Sequence, residues 1–456
     1  MEQRRMYLLE ERKERLRKER FDGDGIIVLH INHFLENSLY YNEHLKQIFG
    51  KLVFVGSPYQ AQVADFTLPF TIDYPCYYGG REKENCSLFR NQDKICRKKG
   101  SFLEHCGYLI EEALITDLLP EIKKGRRLLI LEDGGYFCQN KERWEKRWPI
   151  LKNSIIGSVE QTTSGTKCSV QYYSKRGYDF PCVSVARSDL KMDVESVFIG
   201  SKIVEELNRF LYEADTFLDF HQVLLLGYGV VGRAAAKAMG GTHCELTVYD
   251  PSVKIQAAAR LDGRRVIKDP VEYEFSRDTV VLGTAGISSF STHMLLRFLN
   301  AKGNRLYLAS GSSKEVEFME IKRLLLSREK LDGWEIRQDM NKNGFFSSYT
   351  LRRTQQEKRI CLLADGMPVN FYRTNATSLT FCAMDLVFTE MLICGLWLCD
   401  EKNIEKRMYL AGKPGDHIEG MDESALFDRW CEIYGLLKNW PEPHPEKEYL
   451  RSSGMK

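Results

Sequence analysis

Close cysteine pairs are missing from this chain. It holds 13 cysteines in 456 residues, yet no two follow the C-x-x-C spacing by which structural zinc sites gather their ligands. The odd count in a long chain also argues against a disulfide framework, so reduced thiols are expected and no metal is. Cys76, Cys86, Cys96 and Cys106 recur at ten-residue steps, a spacing that suits neither arrangement. Excess charge is missing too. The formal net charge is +2, so nothing global points to nucleic acid or an anionic membrane as a partner, and neither is expected. No apolar run reads as long enough to span a bilayer. The opening segment MEQRRMYLLEERKERLRKERF lacks the apolar centre of a secretory signal. It reads as a charged helix whose apolar contacts are Met6, Leu8, Leu9 and Leu16. A cytoplasmic location is expected. Repeats, low-complexity tracts and Pro/Gly/Ser-rich linkers are absent as well, so domains would be joined by helices rather than tethers.

What is there is an alternation of strands and helices. GIIVLHI, KLVFVGSP, RRLLILEDGG and IIGSVEQTTSG are short apolar runs bounded by turn residues, the pattern of buried strands. NHFLENSLYYNEHLKQIFG carries apolar residues at helical spacing. This alternation predicts an α/β protein with parallel sheets flanked by helices. Residues 78–99 are polar and rich in Cys and Lys, and are expected to form a surface insertion. A long helix is expected from about Val194 to Phe217, leading into HQVLLLGYGVVGRAAAKAMGG. LTVYD, TVVLGTAG, RLYLASGS and ICLLADGMPVNF read as strands of a second sheet. The closing helices, FCAMDLVFTEMLICGLWLC and ESALFDRWCEIYGLLKNW, are too apolar on one face to stand alone.

VLLLGYGVVGRAAAKAM is strand, tight turn and helix in the order that a dinucleotide fingerprint requires. Gly227 permits the turn, Gly229 lets backbone approach a pyrophosphate, and Gly232 lets helix and strand pack closely. Val230 and Val231 lie between these glycines, at a helix N-terminus whose free N–H groups favour phosphate. Asp250 ends the following strand, where a carboxylate accepts from both ribose hydroxyls and repels a 2′-phosphate. NAD is therefore the expected cofactor, rather than NADP.

Seven segments, taken in chain order, resemble the S-adenosylhomocysteine hydrolase family: ILEDGG, VEQTTSG, SVARSDLKMDVESVFIG, GYGVVGRAAA, GTAGISSF, ASGSSKEVE and ICLLADGMPVN. The resemblance spans most of residues 25–385. It implies a substrate domain from residues 1–200 with 371–456 returning to it, and a Rossmann NAD domain at 201–370 inserted between. It further implies an active site in the cleft, and a homo-oligomer. That family oxidises a nucleoside 3′-hydroxyl with NAD, eliminates or adds at the 5′ carbon, and then reduces the ketone. Carried over by position, the resemblance implies that Lys191 lies beside the reacting hydroxyl with Glu195 one helical turn on. Asp133 matches a catalytic aspartate. Thr162, Thr163 and Ser164 match residues at the nicotinamide ribose, Asn370 matches the carboxamide contact, and Thr284, Ala285 and Gly286 fall in a cofactor loop. Glu36 matches a residue reading the adenine edge.

Other positions depart from the family. Gln161 replaces a catalytic glutamate and can hydrogen-bond but not ionise. Ser196 replaces an asparagine, and Ser312 or Ser313 and Thr377 replace histidines. Asn32, flanked by His30 and His33, stands where the N-terminal catalytic histidine is expected. The family's C-terminal lysine–tyrosine tail is not recognisable in EYLRSSGMK. The sequence thus predicts an NAD-dependent enzyme that oxidises a hydroxyl carbon of a small molecule, such as a nucleoside. Its catalytic residues would be Lys191, Glu195, Asp133, Gln161 and His33, and Glu36, Asn32 and Thr377 would face substrate. A non-catalytic NAD-binding regulator and a true hydrolase are the alternatives.

Overall fold

The strands collect into two sheets, one of nine strands and one of eight. They are seen in a computed structural model that describes residues 4–57, 72–82, 85–90, 93–99, 101–312, 316–339, 346–371, 379–400 and 403–436. The first sheet holds β1 (Ile26–His33), β2 (Leu52–Ser57), β3 (Cys76–Glu82), β4 (Asn85–Arg90), β5 (Asp93–Lys99), β6 (Arg127–Glu132), β7 (Ile155–Glu160), β8 (Cys182–Ser184) and the late β17 (Met408–Leu410). Their order is β17-β8-β7-β6-β1-β2-β3-β4-β5. The sheet is parallel from β17 to β3, and β4 and β5 add antiparallel strands at one edge. β1 is buried at every position, as a central parallel strand covered on both faces must be.

The second sheet holds β9 (Gln222–Leu226), β10 (Glu245–Tyr249), β11 (Arg265–Val266), β12 (Thr279–Gly283), β13 (Arg305–Ser310), β14 (Glu335–Gln338), β15 (Phe346–Arg353) and β16 (Gln356–Leu363). Their order is β11-β10-β9-β12-β13-β16-β15-β14. It is parallel up to β16, with β15 and β14 antiparallel.

Each sheet has a point where successive strands part to opposite sides. In the first, β1 leads to β2 on one side and lies against β6 on the other. In the second, β9 lies between β10 and β12. Between the carboxyl ends of such strand pairs no crossover covers the crevice, which is where α/β sheets bind ligands.

Two expectations need correction and a third gains detail: the described parts of residues 78–99 are β3, β4 and β5 at the edge of the sheet, with Tyr78 buried at their root. Lysine-rich edge strands such as DKICRKK read as polar surface because edges are defended with charge. The long helix runs Ser196–Glu213 rather than 194–217, since Leu190–Glu195 adopts a wider π-helical turn and Asp215 turns left-handed. An apolar segment of spanning length does exist. Phe381–Asp400 has 20 residues and a mean hydropathy of 1.7, and 94% of its apolar window lies inside the protein. It forms the core under the first sheet, with Val387, Phe388, Met391 and Leu392 packed among Val28, Leu129 and Val159.

The charged N-terminal helix, Tyr7–Glu19, docks as expected through Met6, Leu8, Leu9 and Leu16, all buried. It has no side-chain cap of its own. Asp385, from the apolar helix, accepts the free amides of Leu8 at 2.8 Å and Leu9 at 2.9 Å, and the Tyr434 hydroxyl at 2.8 Å. One carboxylate thus ties both ends of the chain together. Asp385→Ala is expected to cost about 1–3 kcal/mol for each donor left stranded, read from urea melts. Burial pushes the Asp385 acid up to about 6 from 3.8. A raised folded value means that ionisation opposes folding, so stability from this group is full below 3.8 and is lost as pH rises through about 6. Asp385→Asn should therefore show a flatter stability profile than wild type between these values.

Candidate functional site

At the first switch point, strand ends deliver a continuous hydrogen-bonded chain. Asn42 Oδ1 accepts from His30 Nδ1 at 2.5 Å. Asn32 Nδ2 lies 3.2 Å from His30 Nε2 and donates to Gln161 Oε1 at 3.4 Å. Gln161 Nε2 donates to Asp133 Oδ2 at 2.8 Å, and that oxygen lies 3.5 Å from His33 Nε2. His30, Asn32 and His33 come from β1, Asp133 follows β6, and Gln161 follows β7. All are buried. Burial lowers both histidines, His30 to about 4, while Asp133 partly opposes it at His33. The chain is neutral amide in its middle, with Asp133 and His33 at one end and His30 towards the other. His33 stacks on Phe371, with ring centroids 4.1 Å apart, and so joins this edge to the exit of the second sheet.

Lys191 sits in the π-helical turn after β8, the strand beside β7. Its Nζ meets Glu195 Oε2 at 2.6 Å, and both side chains are less than a tenth exposed. Lys191 and the Asp133 group thus rise from the carboxyl ends of strands in one parallel sheet.

Thr162 has a local duty. Its Oγ1 caps the helix Thr163–Tyr173 by accepting the Gly165 amide at 3.0 Å, and donates to Glu160 Oε1 at 2.6 Å. Thr163 and Ser164 form the half-buried first turn. Glu160 was not singled out from sequence. Its carboxylate takes the amides of Gly134 at 3.1 Å, Gly135 at 2.9 Å and Thr162 at 2.7 Å, and so fixes the loop carrying Asp133. Burial, then Glu132 and Asp133, push this acid well up. Glu36 pairs with Arg4 at 3.1 Å. Thr377 and Ser313 lie outside the described residues.

At the second switch point Gly227 is left-handed at φ 96°. A Cβ on Gly232 would lie 2.2 Å from Gly227 O, whereas one on Gly229 or Gly286 would meet no atom within 4 Å. The turn is thus closed beneath and open above. Thr284 Oγ1 donates to Gly227 O at 2.8 Å, with Ala285 beside it. Val230 and Val231 stand at the helix start. Asp250 is buried, and its two oxygens accept the amides of Tyr228 at 2.8 Å and Ser252 at 2.9 Å. Each oxygen keeps a lone pair for a hydroxyl donor. Glu317, also missed, holds the facing loop through the Gly286 amide at 2.6 Å, Ser289 and Ser312. Asn370 is buried, and its Oδ1 has no hydrogen-bond partner among the described residues. Such an acceptor is costly unless a ligand serves it. Open ground over two glycines, a placed carboxylate and an unserved amide fit a dinucleotide.

No family model matches the chain. Solved structures to which it is similar include a dipicolinate synthase component from Bacillus halodurans, at 11% identity over 64% of this chain and 83% of that one, TM-score 0.30. Another is D-2-hydroxyisocaproate dehydrogenase, at 10% identity over 80% and 96%, TM-score 0.34. A third is apo D-mandelate dehydrogenase from Rhodotorula graminis, at 14% identity over 45% and 78%, TM-score 0.23. Likenesses of this size say nothing about substrate or reaction.

Proposed function

We propose that this chain is an NAD-using enzyme akin to the S-adenosylhomocysteine hydrolase family, with altered chemistry, that oxidises a hydroxyl carbon of a small molecule. A nucleoside is the substrate class that the sequence resemblance favours. The observation that carries the reading is the open ground above Gly229 and Gly286, together with the buried, unserved Oδ1 of Asn370. The Gly227–Gly232 turn would hold the pyrophosphate at its helix N-terminus, Asp250 the ribose, and Asn370 the carboxamide. Bound NAD supplies a hydride acceptor for a carbinol carbon. Lys191, once its ammonium has passed a proton to Glu195 across their 2.6 Å ion pair, takes the hydroxyl proton, and Glu195 holds the amine in place. His33 and Asp133 orient the substrate and move a second proton, and Gln161 orients Asp133 without ionising. In this reading residues 1–200 with 371–456 form the substrate domain and 201–370 the NAD domain.

A second reading, a non-catalytic NAD binder, has one observation in its favour: Gln161 is locked between Asn32 and Asp133 where an ionising group would move protons. Mass spectrometry of small molecules released by denaturing the purified protein tests both. NAD(H) with a nucleoside-like companion supports the enzyme, NAD alone leaves the binder as the better account, and no dinucleotide would falsify both.

A further inference from the structure

The turn carrying Lys191 is held from behind by two carboxylates from the end of the chain. Glu390 projects from the apolar helix Phe381–Asp400 and is 0% exposed. Its Oε2 accepts from Ser188 Oγ at 3.1 Å, and Ser188 Oγ in turn accepts the Lys191 amide at 3.2 Å. Glu423 opens the helix Glu423–Ile433 and accepts the Asp189 amide at 2.9 Å. The Asp189 carboxylate is held in addition by Lys413 Nζ at 2.6 Å. Glu423 lies so tightly against Gly412 that a Cβ there would come 1.7 Å from its Oε1. The residues leading into the turn are therefore pinned from two separate helices.

The pinning is costly. Oε1 of Glu390 is buried with no hydrogen-bond partner among the described residues, and Glu423 is engaged by the backbone amides of Asp189 and Leu190. Burial pushes both acids up. Ser188 opposes this at Glu390, where Glu423, Lys191 and Glu195 also face it; at Glu423 the Asp189 amide opposes it, with Asp189 and Lys413 facing. An apolar side chain would fill the place of Glu390 without stranding an oxygen. What a carboxylate adds is a strong, short acceptor for a backbone amide or a hydroxyl. Both acceptors are spent on Ser188 and Asp189, the residues leading into the π-helical turn, and π-helical turns recur at functional positions.

We infer that Glu390 and Glu423 are positioning residues that fix the Leu190–Glu195 turn so that the Lys191 amine stays on Glu195 and aimed from the sheet edge. The inference rests on the proposed role of Lys191, but its test does not use NAD or substrate. The full chain and its Ser188→Ala, Glu423→Ala and Glu423→Gln variants are treated with limiting acetic anhydride across a pH series. Acetylation of Lys191 is read by peptide mass spectrometry against exposed Lys146. Lys141, whose side chain is 1% exposed and paired with Asp179, reports that each variant is folded.

The expected result is at least a tenfold rise in Lys191 acetylation, with a displaced pH profile, in Ser188→Ala and Glu423→Ala. Glu423→Gln, which still accepts the Asp189 amide, should restore most of the protection. Ser188→Ala removes only a hydroxyl, so it keeps the test valid should Glu423→Ala fail to fold. Lys191 reactivity within twofold of wild type in folded Ser188→Ala overturns the inference. If the profile moves while loss of Lys191 leaves cofactor reduction intact, the clamp stands and the base assignment falls.

Discussion

Gly229→Ala should fold with unchanged stability and lose NAD at least tenfold, whereas Gly232→Ala should lose both. The two glycines are three residues apart in one motif, but their surroundings differ. A Cβ on Gly229 meets open space, and its backbone at φ −67° and ψ −166° is extended, which alanine adopts. The methyl would stand where a pyrophosphate must approach the backbone, so the variant removes binding without touching the fold. A Cβ on Gly232 meets Gly227 O at 2.2 Å and Thr284 Oγ1 at 2.7 Å. One of those is backbone, so the helix must lift away from the turn. Overpacking of this kind costs about 1–3 kcal/mol, and it displaces the N–H groups that would face phosphate. Calorimetry with NAD, beside thermal melts, separates the two effects. Equal stability losses in both variants would mean that the space above Gly229 is not a ligand site.

Loss of Lys191 should abolish reduction of bound NAD by any substrate that reduces the wild type. A hydride leaves a carbinol carbon only as the hydroxyl proton is taken, and Lys191 is the amine held on Glu195. The structure adds a condition that the sequence did not supply. Lys191 and Glu195 are both buried and 2.6 Å apart, so Lys191→Met alone strands a buried carboxylate and is expected to cost about 3–5 kcal/mol. The informative variant is Lys191→Met combined with Glu195→Gln, which removes both charges and should keep the fold. The check is absorbance of bound NADH after substrate is added. A double variant that reduces NAD at the wild-type rate excludes Lys191 as the base.

The nucleotide motif was legible because strand, glycines, helix and strand-end carboxylate sit close together in sequence, where each has a single physical reason. The Asn32–Gln161–Asp133–His33 chain was legible only as separate residues. Its connection depends on β1 lying beside β6 and β6 beside β7, non-local pairings that no local pattern encodes. β14 and β15 were missed because the β15–β16 hairpin turns on Thr354-Gln355, with Thr354 at φ 55°, and lacks the Asn-Gly or Asp-Gly signal. Glu160 and Glu317 looked like ordinary strand-end and loop acids, and only their backbone partners reveal a duty. Asp385 and Glu390 are themselves a readable signal in the sequence. They are acids inside an apolar helix, where a charge persists only if something holds it.

The most direct measurement is a calorimetric titration of NAD into the dinucleotide-stripped full chain and into Asp250→Ala. Asp250 is set by the amides of Tyr228 and Ser252 at the turn, and its loss removes a charge-assisted hydrogen bond to the ribose worth about 1.5–3 kcal/mol. The account predicts that wild type binds NAD in preference to NADP and that Asp250→Ala weakens NAD binding by roughly ten- to a hundredfold. Equal affinity in the two proteins, or no binding to wild type, would contradict it.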